Sequence, residues 1–315
     1  MFYANNCFEA AKRDAGFLEN MKHSHVYMRY PEGRAKALTF SFDDGVIQDE
    51  WLVETLHANK MKGTFNINSG LCMYDEVDYD KLNSLYFPIK DIQKRLTRDK
   101  FVQLFCGSEM EVACHGYTHA QLDLLDTASI MRELIFDRAE LERIFKKNIR
   151  GFAYPQGTAN DTVISCLRQC GLLYGRLAGV SFSFAVPSDS YRIIPSCHYL
   201  QDEAYTCAEK FIQKEITSGV FDWNTNAALL YIYGHGYEMR TPEDYKKAEN
   251  LIKFLAGREE IWYCTNIEFF EYKQAFDSLV YGVERAFVKN ISCIPVWIYV
   301  NGKTISIPAG ETVDL

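Results

Sequence analysis

The sequence lacks the features that mark disulfide-rich or membrane-spanning proteins. Its 315 residues contain ten cysteines, but no CxxC pair and no closely spaced cysteine framework. In a chain of this length, scattered cysteines predict free thiols in a reducing compartment. No run of about 18 apolar residues is present, so the sequence predicts no transmembrane helix.

Positive charge is also scarce. Lys and Arg number 34 against 42 Asp and Glu, which gives a net charge of −8 at pH 7. This balance argues against nucleic acid as a partner, because its phosphates select basic surfaces. Residues 1–6 lack the basic and apolar segments of a secretion signal, so we expect a cytoplasmic protein without membrane attachment.

The chain does have the composition for a large folded core. Hydrophobic residues make up 48% and charged residues 24%, which is typical of globular proteins. The length is high for one ordinary domain but normal for an α/β barrel. Aromatic residues, at 14%, mostly predict core packing, although exposed rings also bind sugars.

Strand-like and helix-like segments alternate along the chain about seven times. This alternation predicts parallel strands joined by crossover helices, arranged either as a barrel or as an open sheet. The predicted strands cover residues 37–43, 62–68, 111–114, 151–155, 172–178, 227–233 and 261–264. The predicted helices cover residues 47–60, 89–105, 127–147, 161–171 and 203–218, with two more beginning near residues 241 and 267. A loop over residues 74–88 is expected at the rim of a cleft.

The pattern changes near residue 281. Two strand-like segments flank Asn301 and Gly302, a pair typical of two-residue hairpin turns. Such a hairpin is too small to fold alone, so we expect it to pack on the main domain. The predicted parts are an arm at 1–34, a main α/β domain at 35–280 and a C-terminal β-hairpin at 281–315.

The first long strand ends in two adjacent carboxylates, Asp43 and Asp44, followed by Gly45. Two neighbouring acids repel each other, and a buried pair is costly without a cation or a proton between them. A metal ion held by one aspartate would leave the other free as a base. The alternative is that Asp-Asp-Gly is only a turn after a strand.

His115 and His119 follow the third predicted strand and lie four residues apart. If the turn there is helical, both imidazoles face the same way and can share a metal ion. Two imidazoles, one carboxylate and water suit zinc or another divalent metal of similar preference. A lone HxxxH is common, so the argument depends on its combination with the two aspartates.

His235 follows an apolar strand and lies between two glycines. Its ordinary pKa near neutrality suits a general acid, and the alternative is a turn histidine. Glu238 could orient it, but we interpret Glu238 as a surface or substrate-rim residue. The aspartates and histidines all follow the carboxyl ends of predicted strands, where α/β barrels carry their active sites.

Four segments together resemble the ordered motifs of the polysaccharide deacetylase family (carbohydrate esterase family 4, the NodB-homology domain). They are Thr39-Phe40-Ser41-Phe42-Asp43-Asp44-Gly45, His115-Gly116-Tyr117-Thr118-His119, Phe152-Ala153-Tyr154-Pro155-Gln156-Gly157 and Leu230-Tyr231-Ile232-Tyr233-Gly234-His235. The resemblance implies a distorted (β/α)7 barrel and metal-dependent removal of acetyl groups from sugars.

The resemblance also implies a role for each matching residue. Asp43 would be the base and His235 the acid, and the metal ligands would be Asp44, His115 and His119. Tyr154, Pro155, Gln156 and His198 are the expected substrate or oxyanion residues, with the backbone N–H of Gln156 as the oxyanion donor. His198 lies outside the four motifs; it could line the cleft, but we interpret it in preference as a hydrogen-bonded loop histidine.

The sequence departs from the family pattern at Ala153, where the family usually has an arginine that steadies the catalytic aspartate. Because Asp43 needs a cation beside it, we expect Arg176 to replace that arginine, in preference to Arg150. Gln156 stands where an aromatic residue is common, which affects substrate contact rather than a backbone oxyanion role.

The sequence therefore predicts a metal-dependent hydrolase that removes N- or O-acetyl groups from a carbohydrate, with one divalent ion, expected to be zinc. The expected partner is an acetylated sugar or oligosaccharide. One alternative is an amidohydrolase of the same fold acting on a non-sugar amide or ureide. Another is a sugar- or metal-binding protein without catalysis.

Overall fold

A mainly parallel β-sheet with helices packed against it forms the centre of an α/β fold. The structure is a computed structural model that describes residues 25–72, 94–216 and 226–315. Its strands there are β1 (Tyr27–Arg29), β2 (Lys36–Asp43), β3 (Thr64–Ile67), β4 (Glu111–Cys114), β5 (Cys197–His198), β6 (Ala228–His235), β7 (Ile261–Tyr263), β8 (Val280–Tyr281), β9 (Phe287–Lys289), β10 (Val296–Val300), β11 (Lys303–Ile307) and β12 (Thr312–Asp314).

Most helices in the described ranges begin at a residue whose side chain caps the helix. Thr97, Asp126 and Asn160 each accept a hydrogen bond from a backbone N–H three residues on, which fixes the start of a helix. None of the helices in the described ranges is long and apolar enough to span a bilayer. They are α1 (Asp49–Ala58), α2 (Ser69–Cys72), α3 (Arg98–Phe105), α4 (Thr127–Phe145), α5 (Asp161–Gln169), α6 (Glu203–Gln213), α7 (Pro242–Leu255) and α8 (Asn266–Asp277).

The central sheet has the strand order β4-β3-β2-β6-β5, with β7 paired to the first half of β2, and all its pairs are parallel. Isolated parallel bridges continue beyond β4, from Cys114 to Phe152, from Ala153 to Arg176 and from Arg176 to Ile193. The predicted α/β class with parallel strands is confirmed. Closure into a seven-stranded barrel stays a prediction.

Two predicted strands are reduced to these bridges. Segments 151–155 and 172–178 form no longer ladder in the described structure. The sequence also missed β5, whose two residues are too few for a hydrophobic period to show.

The predicted helix at 89–105 is wrong at its start, as far as the structure describes it. Residues 94–97 are not helical, because the cap at Thr97 sets the first residue of α3 at Arg98. Outside the described residues lie the loop predicted at 74–88, residues 89–93 and residues 217–218 of another predicted helix.

Strand β2 lies at the centre of the core, and all eight of its residues are buried. Helices cover both faces of such a parallel sheet, so its strands are apolar almost throughout. The ring of Phe42 packs 5.6 Å from that of Phe65 and edge-on against Tyr199 at 5.3 Å. In β2, however, the buried polar residues Thr39, Ser41 and Asp43 alternate with Leu38, Phe40 and Phe42, and Asp43 lies at the carboxyl end.

The C-terminal strands form two antiparallel sheets, β1-β10-β11 and β12-β9-β8. Asn301 and Gly302 connect β10 to β11 with φ angles of 52° and 79°, which is the conformation of a type I′ hairpin turn. The arm expected at 1–34 contributes β1 to the first of these sheets. The predicted boundaries at 34 and 280 stay predictions.

Tyr272 of α8 attaches this sheet to the main domain. Its buried hydroxyl donates to the carbonyl of Arg29 at 2.5 Å and accepts from the backbone N–H of Trp297 at 2.8 Å. One side chain thereby satisfies backbone groups of two neighbouring strands, β1 and β10.

Tyr272→Phe is expected to lower the free energy of unfolding by about 1–3 kcal/mol, because it leaves a buried carbonyl and a buried N–H unpaired. Urea unfolding measures the change. Tyr281→Phe is the control, since the Tyr281 hydroxyl makes no hydrogen bond within the described ranges. Equal stability of the two variants would contradict the conclusion that the Tyr272 hydroxyl attaches the β1-β10-β11 sheet.

Candidate active site and metal centre

The register of β2 places Asp43 between two polar residues of its neighbours. Asp43 is paired with Asn66 of β3 on one side and with His235 of β6 on the other. Residues in register on adjacent parallel strands point to the same face of the sheet. Three strand ends therefore bring a carboxylate, an amide and an imidazole together.

The carboxylate of Asp43 is almost fully buried and bound on one oxygen. Its Oδ1 accepts hydrogen bonds from Nη2 of Arg176 and from Nδ2 of Asn66, the latter at 2.9 Å. Its Oδ2 lies 3.7 Å from Nε2 of His235. Burial alone would raise the pKa of Asp43, but the charge and hydrogen bond of Arg176, together with the nearby histidines, outweigh it and lower the pKa below its ordinary value. Asp43 is therefore ionised at neutral pH.

The structure thus brings Arg176 to the position expected for the missing arginine. Its side chain is buried, with the guanidinium 5.3 Å from the ring centre of Tyr233. Arg150, the alternative, instead lies 3.5 Å from Glu271 near the surface.

The neighbouring Asp44 faces the two histidines. Its Oδ1 lies 3.6 Å from Nε2 of His119 and 3.9 Å from Nε2 of His115. One oxygen and two nitrogens of these residues lie within 4.8 Å of one another. This spacing allows the three side chains to share one ion.

Hydrogen bonding and burial prepare both imidazoles to act as ligands. Nδ1 of His115 lies 2.8 Å from the carbonyl of Ala153, so Nδ1 carries the proton and Nε2 keeps its lone pair toward Asp44. Burial lowers the pKa of His115 to about 4 and also lowers that of His119. Both rings are neutral at neutral pH, as metal binding requires.

The loop that carries the two histidines is not helical, unlike the turn considered from the sequence. Gly116 and His119 have φ angles of 76° and 59°. Helix α4 holds the loop: Asp137 accepts from the N–H of His115 at 2.9 Å, and Glu133 accepts from the N–H of Thr118 at 2.7 Å. Tertiary contacts, rather than helical periodicity, make the imidazoles converge.

The residues present fit a divalent metal ion. One carboxylate and two neutral imidazoles are a common protein donor set for catalytic zinc, in which water completes the coordination. Asp44, His115 and His119 are the residues that would hold the ion.

His235 is held by a carboxylate of its own loop. Glu238 accepts from the backbone N–H of His235 at 2.9 Å and from its Nδ1 at 3.1 Å. Nε2 of His198 lies 2.8 Å from Oε2 and 3.0 Å from Oε1 of the same carboxylate. The N–H of Leu200 donates to Nδ1 of His198 at 3.3 Å, so His198 directs its Nε2 proton to Glu238. The interpretation of Glu238 as a surface charge is therefore wrong, whereas its role at a substrate rim stays a prediction.

These contacts set the charge of His235. Burial opposes the imidazolium, but the hydrogen bond to Glu238 and the carboxylates of Asp43 and Asp44 outweigh it and raise the pKa of His235 to about 9. His235 is protonated at neutral pH, with its Nε2 directed at Asp43.

The residues expected at the substrate lie around this centre with different exposure. Tyr154 is buried, and its hydroxyl donates to the carbonyl of Tyr191 at 2.9 Å, so its side chain makes a structural contact. Pro155 packs against Gly116, where a Cβ would lie 3.1 Å from its Cγ. Gln156 is exposed with a φ of 59°. Their roles toward substrate stay predictions.

Sequence reasoning missed Asn66 and Arg95. Nη1 of Arg95 lies 3.0 Å from Oδ1 of Asp44. An asparagine inside an otherwise apolar buried strand was an available signal for Asn66. No signal marked Arg95, because it falls in a segment whose pattern resembles a helix.

The comparisons with known proteins agree with the motifs. The family model for polysaccharide deacetylase matches residues 30–175, somewhat less than half of the chain. That range contains the first three motifs, and the motif ending at His235 lies beyond it. The match confirms the family resemblance for these residues. A search of curated proteins found no match.

Several solved structures are similar to the chain. A Mycobacterium smegmatis protein described as a polysaccharide deacetylase has 16% identity and a TM-score of 0.53, over 80% of this chain and 95% of that one. A family 4 carbohydrate esterase from Streptomyces lividans has 16% identity and a TM-score of 0.42, over 74% and 91%. The family 4 pseudoenzyme BA3943 from Bacillus anthracis has 14% identity and a TM-score of 0.45, over 78% and 68%. Likeness at this identity shows the fold alone.

Glu238→Gln is expected to lower the pKa of His235 from about 9, because it removes the anion that stabilises the imidazolium. An NMR titration of the metal-free protein measures this pKa, with the resonance assigned from a His235 variant. Glu243→Gln, which removes the same charge from the exposed start of α7, should leave it unchanged. A His235 pKa that does not fall in Glu238→Gln would contradict the assignment.

Proposed function

We propose that the protein is a metal-dependent hydrolase that removes acetyl groups from a carbohydrate. The observation that carries this proposal is that the two adjacent aspartates have different partners. Asp44 lies with His115 and His119 within 4.8 Å, while Asp43 is held apart by Arg176 and faces His235. The family resemblance over residues 30–175 supports acetyl groups on sugars as the substrate class.

Asp44, His115 and His119 would hold one divalent ion, for which zinc suits the donor set. When bound, the ion supplies Lewis-acid polarisation of the acetyl carbonyl and of the attacking water. The neutral state of both imidazoles and the ionised state of Asp44 at neutral pH support this assignment.

Asp43 acts as the general base through Oδ2. Its Oδ1 is already bound by Arg176 and Asn66, so Oδ2 is the oxygen left to accept a proton from water. The charge of Arg176 keeps Asp43 ionised and fixes its orientation. Asp43 lies in the strand, beside the proposed ligands but not among them.

His235 acts as the general acid. It is protonated at neutral pH, and Glu238 holds Nδ1 so that the Nε2 proton is available to the departing nitrogen or oxygen. The backbone N–H of Gln156 is the proposed donor to the oxyanion. The half-exposed ring of Tyr237, whose centre lies 4.7 Å from that of His235, offers a face for a sugar ring.

Acetate release from acetylated oligosaccharides tests the proposal. Release is expected with zinc or cobalt, its loss after chelation, and its return when the metal is restored. Asp43→Asn should keep metal binding and lose release, whereas Asp44→Asn should lose both. Metal binding without release from any acetylated sugar would favour the amidohydrolase or the non-catalytic binding protein.

Arg176→Met is expected to lower kcat/KM for acetate release by on the order of 10²-fold or more, since Asp43 would lose the cation that keeps it ionised. Arg150→Met should have little effect, because it removes only a surface ion pair. Circular dichroism checks folding, and Arg176→Lys should restore part of the activity. A larger loss in Arg150→Met would refute the assignment.

A further inference from the structure

Arg95 lies against the proposed metal ligand Asp44. Its Nη1 is 3.0 Å from Oδ1 of Asp44 and also donates to the backbone carbonyl of Asp44 and to Oδ1 of Asn68, the last at 3.0 Å. Both side chains are largely buried, with 12% of Arg95 and 8% of Asp44 exposed. The guanidinium is therefore a close and poorly screened neighbour of the carboxylate.

The backbone holds Arg95 in this place. Val46 and Arg95 form an antiparallel bridge, flanked by hydrogen bonds from Ile47 N–H to Lys94 at 3.0 Å and from Leu96 N–H to Gly45 at 2.9 Å. The segment before α3 is thus tied to the turn that carries Asp44. This placement is fixed by the fold rather than by a loosely held surface side chain.

Arg95 contacts the carboxylate oxygen that the metal needs. Oδ1 of Asp44, the oxygen 3.0 Å from Arg95, is also the one that lies 3.6 Å from His119 and 3.9 Å from His115. The two imidazoles are neutral, so Asp44 is the only charged member of the ligand set. The guanidinium of Arg95 balances that charge.

We propose that Arg95 is the resident cation of the metal-free site and that it yields Oδ1 of Asp44 when a divalent ion binds. The inference rests on the metal site of the proposed function. Two cations beside one buried carboxylate oxygen repel each other, so metal uptake includes the work of moving the guanidinium. Arg95 can keep its hydrogen bond to Asn68 as it moves. The site consequently binds metal more weakly than its three ligands alone would.

Isothermal titration of the metal-free protein with zinc and with cobalt, in the absence of substrate, tests this exchange. Arg95→Met is expected to bind both ions about 10-fold more tightly or better, because it removes a positive charge that lies 3.0 Å from the ligand oxygen. Lys94→Met removes the same charge from an exposed neighbouring side chain and should match the wild type. Arg95→Lys keeps the charge and should lie between the two, which preserves the test if Arg95→Met does not fold.

Thermal unfolding gives a second readout. Arg95→Met should be less stable than the wild type without metal, and this deficit should shrink with saturating zinc, because only the charge contact with Asp44 is replaced by the ion. Equal or weaker metal binding by Arg95→Met would contradict the proposed displacement of Arg95 but not the proposed metal site. No metal binding by any of the proteins would overturn both. If the variants bind metal as expected but the wild type releases no acetate, the result would count against the proposed deacetylation alone.

Discussion

A carboxylate buried as deeply as Asp43, which is 2% exposed, needs a fixed cation, and Arg176, itself 1% exposed, supplies it. The two residues are 133 positions apart in the chain. Arg176 belongs to the bridges that continue the sheet beyond β4, whereas Asp43 ends the central strand β2. Separating them would leave an unpaired buried charge at a cost of about 3–5 kcal/mol. The ion pair therefore holds the outlying part of the sheet to its centre, and the site depends on it.

The second constraint is the direction of the two adjacent aspartates. Residues that follow each other in a strand point to opposite faces, which would carry Asp44 away from Asp43. Asp44 instead has a φ of 82°, and its N–H donates to the carbonyl of Asn66 at 2.9 Å. A left-handed conformation costs a non-glycine residue about 1–2 kcal/mol, and the surrounding contacts enforce it. Both carboxylates therefore reach one end of the sheet with different partners.

The convergence of Asp43, Asp44 and His235 could be predicted from sequence, because carboxyl ends of parallel strands meet at one edge of a sheet. Arg176 could also be predicted, since a buried carboxylate requires a cation. The helical turn considered for His115 and His119 was wrong in form, because α4 positions that loop through contacts that no local pattern records. Arg95 depends on tertiary packing and resembles an ordinary surface charge when only its neighbours in sequence are considered. The contact of His235 with Glu238 is local, since the two residues are three positions apart, but the sequence does not distinguish it from a surface glutamate.

The charges of the site constrain how it can bind a dication. Asp43, Asp44 and Glu238 are ionised, and they are balanced by Arg176, Arg95 and protonated His235. Among the residues that the structure describes, the proposed divalent ion would thus enter a cluster whose charges already balance, so positive charge would have to move outward. Arg176 is fixed by Asp43, and the proton of His235 is held by Glu238. Of the three cations, Arg95 is the one that already touches a ligand oxygen and has a second acceptor, Asn68, within reach. If the proposed ion binds, the charge that moves is therefore Arg95, which the fold places beside the ligand Asp44 and within reach of Asn68.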